Sequence, residues 1–286
     1  MPPGSPYSDL QRPPLVARSL ERALLTPGGP WRRLELMAET GSTNADVAEA
    51  ARTGEPEGLI VVAEQQLAGR GRRDRQWVSP ARAGLMLSVL LRPGCGAHPV
   101  SNRHWGWLPL LAGVALQEAV QRSTGLDAAL KWPNDLLVRG GPLDREGKCA
   151  GILAEVIGEA VVLGIGLNVT TRVDELPPAG GVPATSLQIA GARTTDRDSL
   201  LKALLRGLAR WYGGWRETGG DAEPCGLLAA YRRGCTTVGR LTSVQLPTGA
   251  ELVGEATSVD PDGRLVIRTA DGAVHKLSAG DVVHVR

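Results

Sequence analysis

The stretch AEQQLAGRGRRDRQWVSP, residues 63–80, gathers Arg70, Arg72, Arg73 and Arg75 around Gly69 and Gly71, with only Asp74 against them and Trp77 near the end. It overlaps the end of GLIVVAEQ (58–65), a short apolar, β-branched run that reads as a buried strand. Glycines let a backbone approach a ligand closely, and arginines neutralise phosphate with forked hydrogen bonds. A dinucleotide-binding fingerprint needs a third glycine opening a helix. Asp74 stands at that place and RQWVSP starts no helix, so that reading fails. A solvated basic turn and a nucleic-acid-binding loop, with Arg and Trp stacking on bases, both stay open for this stretch taken alone.

Three further segments carry polar groups at strand ends. In LKWPNDLLV (130–138), Lys131 and Trp132 end a strand, Pro133 turns the chain, and Asn134 and Asp135 follow. A plain turn, with the Asn and Asp bonding their own backbone, is the competing reading. In GKCAGILAEV (147–156), Lys148 precedes an apolar strand with Gly151 at its start. The preceding glycines suggest a phosphate-binding P-loop, but their spacing is one residue too long, Cys149 replaces the Ser or Thr, and a strand follows instead of a helix. Lys148 then meets a phosphate as a point charge or sits on a surface hairpin. In GIGLNV (164–169), Gly164 and Gly166 weaken a strand unless a ligand or another backbone comes close, or a bulge forms there. Asn168 offers a donor and an acceptor, which suits an adenine edge. The match SLLK (199–202) to an acyl-enzyme pattern lacks its companion motifs, so Ser199 reads as helix-start polarity.

Around these segments the chain alternates strands and helices. GSTNADVAEAARTG (41–54) opens with the cap-type residues Ser42, Thr43 and Asn44 and continues as an Ala-rich helix ending near Gly54. GLMLSVLLRP (84–93), AALKW (128–132), CAGILAEVIG (149–158) and EAVVLGIGLNV (159–169) read as strands. A helical stripe of Leu108, Leu111, Ala115 and Ala119 stops at Gly125, and helices follow at about 196–217 and 223–233. Residues 1–30, rich in Pro and Gly, are expected to form a partly flexible leader with a short helix near Leu15–Leu25. Past Gly234, short alternating runs separated by Thr248-Gly249, Asp262-Gly263, Asp271-Gly272 and Ala279-Gly280 predict a small β-barrel. The expected division is a leader at 1–30, a catalytic domain at 31–234 and a C-terminal β domain at 235–286.

Composition narrows the class. The chain has 286 residues, 42% hydrophobic and 22% charged, with a formal net charge of +2, so any basic site is local rather than global. The cysteines Cys95, Cys149, Cys225 and Cys235 form no C-x-x-C pair, and His98, His104, His275 and His284 show no metal-ligand spacing. The amino end lacks a basic-then-apolar signal segment and no apolar run is long enough for a membrane span, so a cytoplasmic protein is expected, with no membrane partner. The absence of Phe leaves Leu and Trp to fill its place in the core.

In this order, GSTN at 41–44, EQQLAGRGRRDRQW at 64–77, KWPND at 131–135, KCAGILAE at 148–155 and GIGLN at 164–168 resemble the catalytic core of biotin protein ligases. The resemblance runs from about Trp31 to the end. It implies a mixed α/β catalytic domain of the class II synthetase and biotin–lipoate ligase type, followed by an SH3-like β-barrel. It further implies that biotin is activated with ATP to biotinyl-5'-AMP and transferred to a lysine of a biotin carboxyl carrier protein, with Mg2+ accompanying ATP. By the same resemblance, Ser42, Thr43, Asn44, Gln66, Gly69, Arg70, Gly71, Arg72, Trp77, Lys148 and Gly151 surround biotin. Arg70, Arg72, Arg75, Lys131, Asn134, Asp135, Lys148 and Asn168 meet ATP or the adenylate, and Lys148, Arg70 and Arg72 are the catalytic cations. No protein-held metal is expected. The segment VRGGPLDREG (138–147) is longer than the tightest family versions, and the short leader suits the monofunctional class, without sequence-specific DNA binding. A monomer or weak homodimer is expected. The competing functions are a lipoate- or octanoate-type adenylate ligase and a nucleic-acid-binding module built on the arginine loop.

Overall fold

The apolar runs become strands of one sheet in the computed structural model, which describes residues 12–73, 75–141, 145–178, 182–246, 249–278 and 280–284. In chain order these are β1 (Arg33–Met37), β2 (Leu59–Ala63), β3 (Gly84–Leu91), β4 (Ala128–Lys131), β5 (Asp135–Gly140), β6 (Arg145–Ile157) and β7 (Ala160–Asn168). Their order in space is β1-β2-β3-β7-β6-β5-β4. The β1–β2 pair is parallel and every other pair is antiparallel, so the sheet is mixed, as the resemblance implied. Strands β2 and β3 are buried at every position, which is why β2 reads as an unbroken apolar run and β3 as one interrupted only by Ser88. The sequence reading missed β1 and β5. Strand β1 lies at an edge with most of its residues only half-buried, and the short β5 directly follows the turn at Pro133-Asn134.

Helices α1 (Ala17–Leu24), α2 (Thr43–Arg52), α3 (Trp107–Thr124), α4 (Arg197–Glu217) and α5 (Leu227–Gly234) complete the layers. The predicted stripe on α3, Leu108, Leu111, Ala115 and Ala119, is buried throughout. Helix α3 stops at Gly125, whose φ of +73° only glycine adopts at little cost. Helix α4 begins at Asp196, whose side chain accepts a hydrogen bond from the backbone N–H of Asp198. Among the described residues no helix is long and apolar enough to cross a membrane. Trp107, Trp132 and Trp215 are almost wholly buried, filling the volume that Phe supplies elsewhere.

Residues 1–11 of the expected leader lie outside the described residues. From Arg12 on, the chain packs against the sheet domain instead of standing free. Arg12 pairs with Glu175 at 2.6 Å, and Leu20 and Leu24 of α1 join the core. The backbone N–H of Leu15 donates to Glu64 at 2.6 Å, and Glu64 pairs with Arg197 at 2.6 Å; both of these charged side chains are buried.

The C-terminal strands β8 (Leu241–Gln245), β9 (Glu251–Val259), β10 (Leu265–Arg268), β11 (Val274–Leu277) and β12 (Asp281–His284) form an antiparallel sheet in the order β11-β10-β9-β8-β12. Three of the four turn signals show positive φ, at Gly249, Gly263 and Gly272, and Gly280 does not; Thr248 and Ala279 lie outside the described residues. The expected barrel is corrected in one respect. Among the described residues β11 and β12 are the two edges and do not pair, so strand pairing does not close. Two indoles couple this sheet to the first: Trp107 Nε1 donates to Pro261 O at 2.8 Å and Trp132 Nε1 to Gly263 O at 3.1 Å.

Candidate active site

Strand β7 supplies an axis for the site. Residues alternate across a sheet, so Gly164, Gly166 and Asn168 lie on one face, about 13 Å from first to last at roughly 3.3 Å per residue. The two glycines are explained by protein side chains. A Cβ on Gly164 would lie 1.9 Å from Asn44 Oδ1, and one on Gly166 would lie 2.5 Å from the Trp77 ring. Pairing of β7 with β3 and β6 is regular here, so the bulge considered for GIGLNV is absent. Asn44, Trp77 and Asn168 therefore stand in sequence along this face.

At the Gly164 end, α2 begins. Ser42 occupies the N-cap position, but its hydroxyl makes no cap hydrogen bond; it is buried and unpartnered. A buried hydroxyl without a partner is costly, and this one borders the cavity described below. Gln66 Oε1 accepts from the backbone N–H of Thr43 at 2.8 Å and lies 3.1 Å from its hydroxyl. With its oxygen so occupied, Gln66 directs its NH2 elsewhere, beside Gly69.

Lys148 marks the middle. The sequence placed it before a strand; it lies inside β6, at a slip in register with β5. Leu136 pairs with Ala150 and Leu137 with Lys148, so Cys149 is an extra residue. That bulge turns Lys148 to the same face as Gly151. Its Nζ lies 3.6 Å from the position of a Gly151 Cβ and 2.7 Å from Asp135 Oδ1. Lys148 is thus not a solvated hairpin lysine; its side chain is 30% exposed and held by a carboxylate. Gly151 is the cross-strand partner of Gly166, so the ammonium stands beside Trp77.

At the far end, Asn168 donates from Nδ2 to Thr185 O at 3.0 Å, while its Oδ1 is buried with no partner. Thr185 thus takes one of the two Nδ2 hydrogens, and the acceptor read from the sequence is without a protein partner. Lys131 is buried, 4.0 Å from Asp135 Oδ2; burial pulls its pKa down and the Asp135 charge opposes this. Asn134 anchors to β6 through Nδ2 donating to Ile152 O at 3.0 Å.

The arginine loop closes on itself, with Gly71 N–H donating to Arg75 O at 2.6 Å and Trp77 N–H to Gly69 O at 2.9 Å. Asp74 lies outside the described residues. Three of its arginines reach the C-terminal sheet. Arg72 donates to Asn134 Oδ1 at 3.0 Å and Gly280 O at 3.2 Å, Arg73 donates to Gln245 O at 2.8 Å, and Arg75 pairs with Asp281. Burial draws the Arg72 pKa below its usual value, while Asp281 and Asp135 oppose the shift. Arg70 is exposed, with a loose contact to Glu155 at 3.9 Å.

A cavity of about 680 Å³ joins these parts, and every expected site residue except Gly69 lines it. Gly69 lies beneath the wall, where a Cβ would meet Trp77 O at 2.3 Å. The sequence reading missed Ser88, Glu155 and Asp281. The first two were visible as lone polar residues in the apolar runs GLMLSVLL and GILAEVIG, and nothing local marks the third. Among the described residues no cluster of three or more metal-ligating side chains occurs.

Two family models match: that of the biotin/lipoate A/B protein ligase family over residues 38–171, and that of the biotin protein ligase C-terminal domain over 239–285. The biotin–[acetyl-CoA-carboxylase] ligase of Mycobacterium tuberculosis is 44% identical over 97% of this chain and 98% of its own length. The bifunctional ligase/repressor BirA of Bacillus subtilis is 31% identical over 84% of this chain and 70% of its own. Among solved structures, the Aquifex aeolicus biotin protein ligase in complex with biotin and ATP superposes with a TM-score of 0.72 at 25% identity, covering 90% of this chain and all of that one.

Proposed function

The chain belongs to the biotin/lipoate A/B protein ligase family, and from that premise we propose which residues serve each half of its reaction. It is an ATP-dependent biotin protein ligase that attaches biotin to a carboxylase. The observation that carries the assignment of roles is the order along β7. An unpaired hydroxyl and a donating amide stand at one end, a carboxylate-held ammonium in the middle, and an unpaired acceptor at the other. That order suits a cyclic urea, a carboxylate meeting a phosphate, and an amino-bearing base.

In the first half-reaction a biotin carboxylate oxygen attacks the α-phosphorus of ATP, a P–O bond forms, and diphosphate leaves. Two anions must meet, so the protein supplies cations and orientation rather than a nucleophile. Lys148 bridges the carboxylate and the α-phosphate, and Arg70 and Arg72 neutralise phosphate oxygens. Ser42, Thr43 and Gln66 hold the ureido ring, and Asn168 accepts from the adenine amino group. Lys131, Asn134 and Arg75 stand on the nucleotide side. Magnesium arriving with ATP would offset phosphate charge, and Asp135 and Asp281, the carboxylates that line the cavity, would be the residues to hold it, although they already face Lys148 and Arg75.

In the second half-reaction the amine of a carrier lysine attacks the acyl carbon, the new C–N bond replaces the C–O bond, and AMP leaves. The acceptor is a lysine of a biotin carboxyl carrier domain, and the C-terminal sheet forms part of its dock. Val253, Ser243 and Val283 align across β9, β8 and β12, both valines are about half exposed, and Val283 also borders the cavity. The working place is the cytoplasm, where ATP and apo-carboxylase are available.

Exchange of diphosphate into ATP tests the substrate: biotin should stimulate it and lipoate or octanoate should not. Stimulation by lipoate alone would transfer the same cavity to the lipoate branch.

A further inference from the structure

A line of hydrogen bonds runs behind the Gly164 end of the cavity and links four separate elements. Asn44 Nδ2 donates to Glu155 Oε2 at 2.6 Å. Asn44 Oδ1 accepts from Ser88 Oγ at 2.6 Å. Ser88 Oγ lies 2.7 Å from Thr43 Oγ1, and Gln66 Oε1 takes the Thr43 backbone N–H at 2.8 Å. Ser88 is fully buried, and Thr43 and Asn44 nearly so. Gly164 seats Asn44, since a Cβ there would lie 1.9 Å from its oxygen; the amide cannot move away from this line without leaving its notch.

The direction of every bond follows from the group at the end. A carboxylate only accepts, so Asn44 must turn its NH2 to Glu155 and its oxygen to Ser88. Ser88 spends its single hydrogen on that oxygen. In the contact between the two hydroxyls no hydrogen is left on Ser88, so Thr43 is the donor and shares its single hydrogen between Ser88 Oγ at 2.7 Å and Gln66 Oε1 at 3.1 Å. The Thr43 oxygen is left able only to accept from anything else it meets. Gln66, its oxygen committed to the Thr43 N–H, offers donors, as the unpartnered Ser42 hydroxyl can. A C=O flanked by N–H groups matches this pattern of donors beside an acceptor.

We propose that Glu155 is a positioning residue for the ureido ring, acting through Asn44 and Ser88 to make the Thr43 hydroxyl an acceptor towards the cavity. The proposal rests on the reading that this end of the cavity takes biotin. Without Glu155, the Asn44 amide can reverse and Ser88 then donates to Thr43; the Thr43 hydrogen stays on Gln66 Oε1, and one of the two acceptor places on the Thr43 oxygen is lost to Ser88 instead of facing a ureido N–H. The Glu155 side chain is 31% exposed, so water can take its place.

Isothermal titration of biotin into the folded parent, E155A, E155Q, T43V and the double variant tests this. Biotin binding should weaken about five- to tenfold in E155A, the scale of one hydrogen bond made or misdirected. ATP binding should stay within about twofold, which separates this role from the loose Arg70 contact, whose loss would act on the nucleotide. E155Q, whose amide can donate to Asn44 as well as accept from it, no longer dictates the Asn44 orientation and should recover the affinity only in part. The decisive reading is coupling between two side chains that do not touch: T43V should weaken biotin binding in the parent but add less than about twofold in E155A. Additive losses, or biotin affinity in E155A within about twofold of the parent, would overturn the proposal. A parent that binds lipoate and not biotin would instead overturn the reading of the cavity.

Discussion

Replacing Lys148 with alanine should slow adenylate formation by about two to three powers of ten, the usual loss of one preorganised electrostatic contact, about 3–4 kcal/mol. The structure supports that size. The Lys148 ammonium is held by Asp135 at 2.7 Å, so its place is set before substrates arrive. A unit charge about 4 Å from an opposite charge, at an effective dielectric constant near 20, contributes about 4 kcal/mol, which agrees. Lys148 is also the cation nearest Gly151, on the row where β6 and β7 bring two glycines together. Biotin affinity should change less, because Ser42, Thr43 and Gln66 hold the other end. Lys148→Arg should rescue only in part, since a planar fork does not replace a compact charge between Asp135 and Gly151. Single-turnover formation of biotinyl-5'-AMP, measured with saturating biotin and ATP on a variant shown to be folded, is the assay. A solvated surface lysine would leave the chemistry untouched and change stability by less than about 0.5 kcal/mol. A rate within about twofold of the parent would therefore remove Lys148 from the mechanism.

Three other outcomes are expected. Burial, together with Arg240 and Lys131, pushes the pKa of His284 down from 6.5 to about 4. Because the folded value is depressed, its stabilising contribution is present above the unfolded pKa and lost as pH falls from about 6.5 through about 4; urea unfolding from pH 7 to 4.5 should show a steeper loss for the parent than for His284→Asn, and equal slopes would contradict this. Trypsin should cleave at the exposed Arg70, Arg73 and Arg75 more slowly when biotin and ATP are present, and unchanged cleavage would count against closure of the loop over the adenylate. Val253→Asp, at a position that does not line the cavity, should slow transfer of biotin to the carrier while leaving adenylate formation near the parent rate, and an unaltered transfer rate would remove this face from the dock.

Much of the fold was legible because burial leaves a local trace. Strands β2, β3 and β7 are covered on both faces, so they appear as apolar runs, and α3 and α4 carry apolar stripes that end at conformationally permissive or capping residues. The turns of the C-terminal sheet were legible because Gly249, Gly263 and Gly272 have positive φ, which few other residues tolerate. Strands β1 and β5 left no such trace, β1 lying half-buried at an edge and β5 directly after a turn.

By itself, the sequence determined which residue types the site contains and the order in which the chain delivers them: Ser42 and Thr43, then the arginine loop, Lys148 and Asn168. Tertiary structure alone decided what each group has left to offer. The bulge at Cys149 turns Lys148 onto the face of Gly151, a half-turn that a strand's two-residue period hides from any local reading. Gly164 and Gly166 could have been read as space for a ligand, yet the space belongs to Asn44 and Trp77. The acceptor of Asn168 lacks a protein partner because its amide is turned so that the nitrogen faces Thr185, and three of the loop's arginines are tied down by Gln245, Gly280 and Asp281 from about 170 to more than 200 residues away. A hydrogen-bonding group carries its chemistry in its name, but the partners that use up part of that chemistry arrive only when distant strands and loops meet.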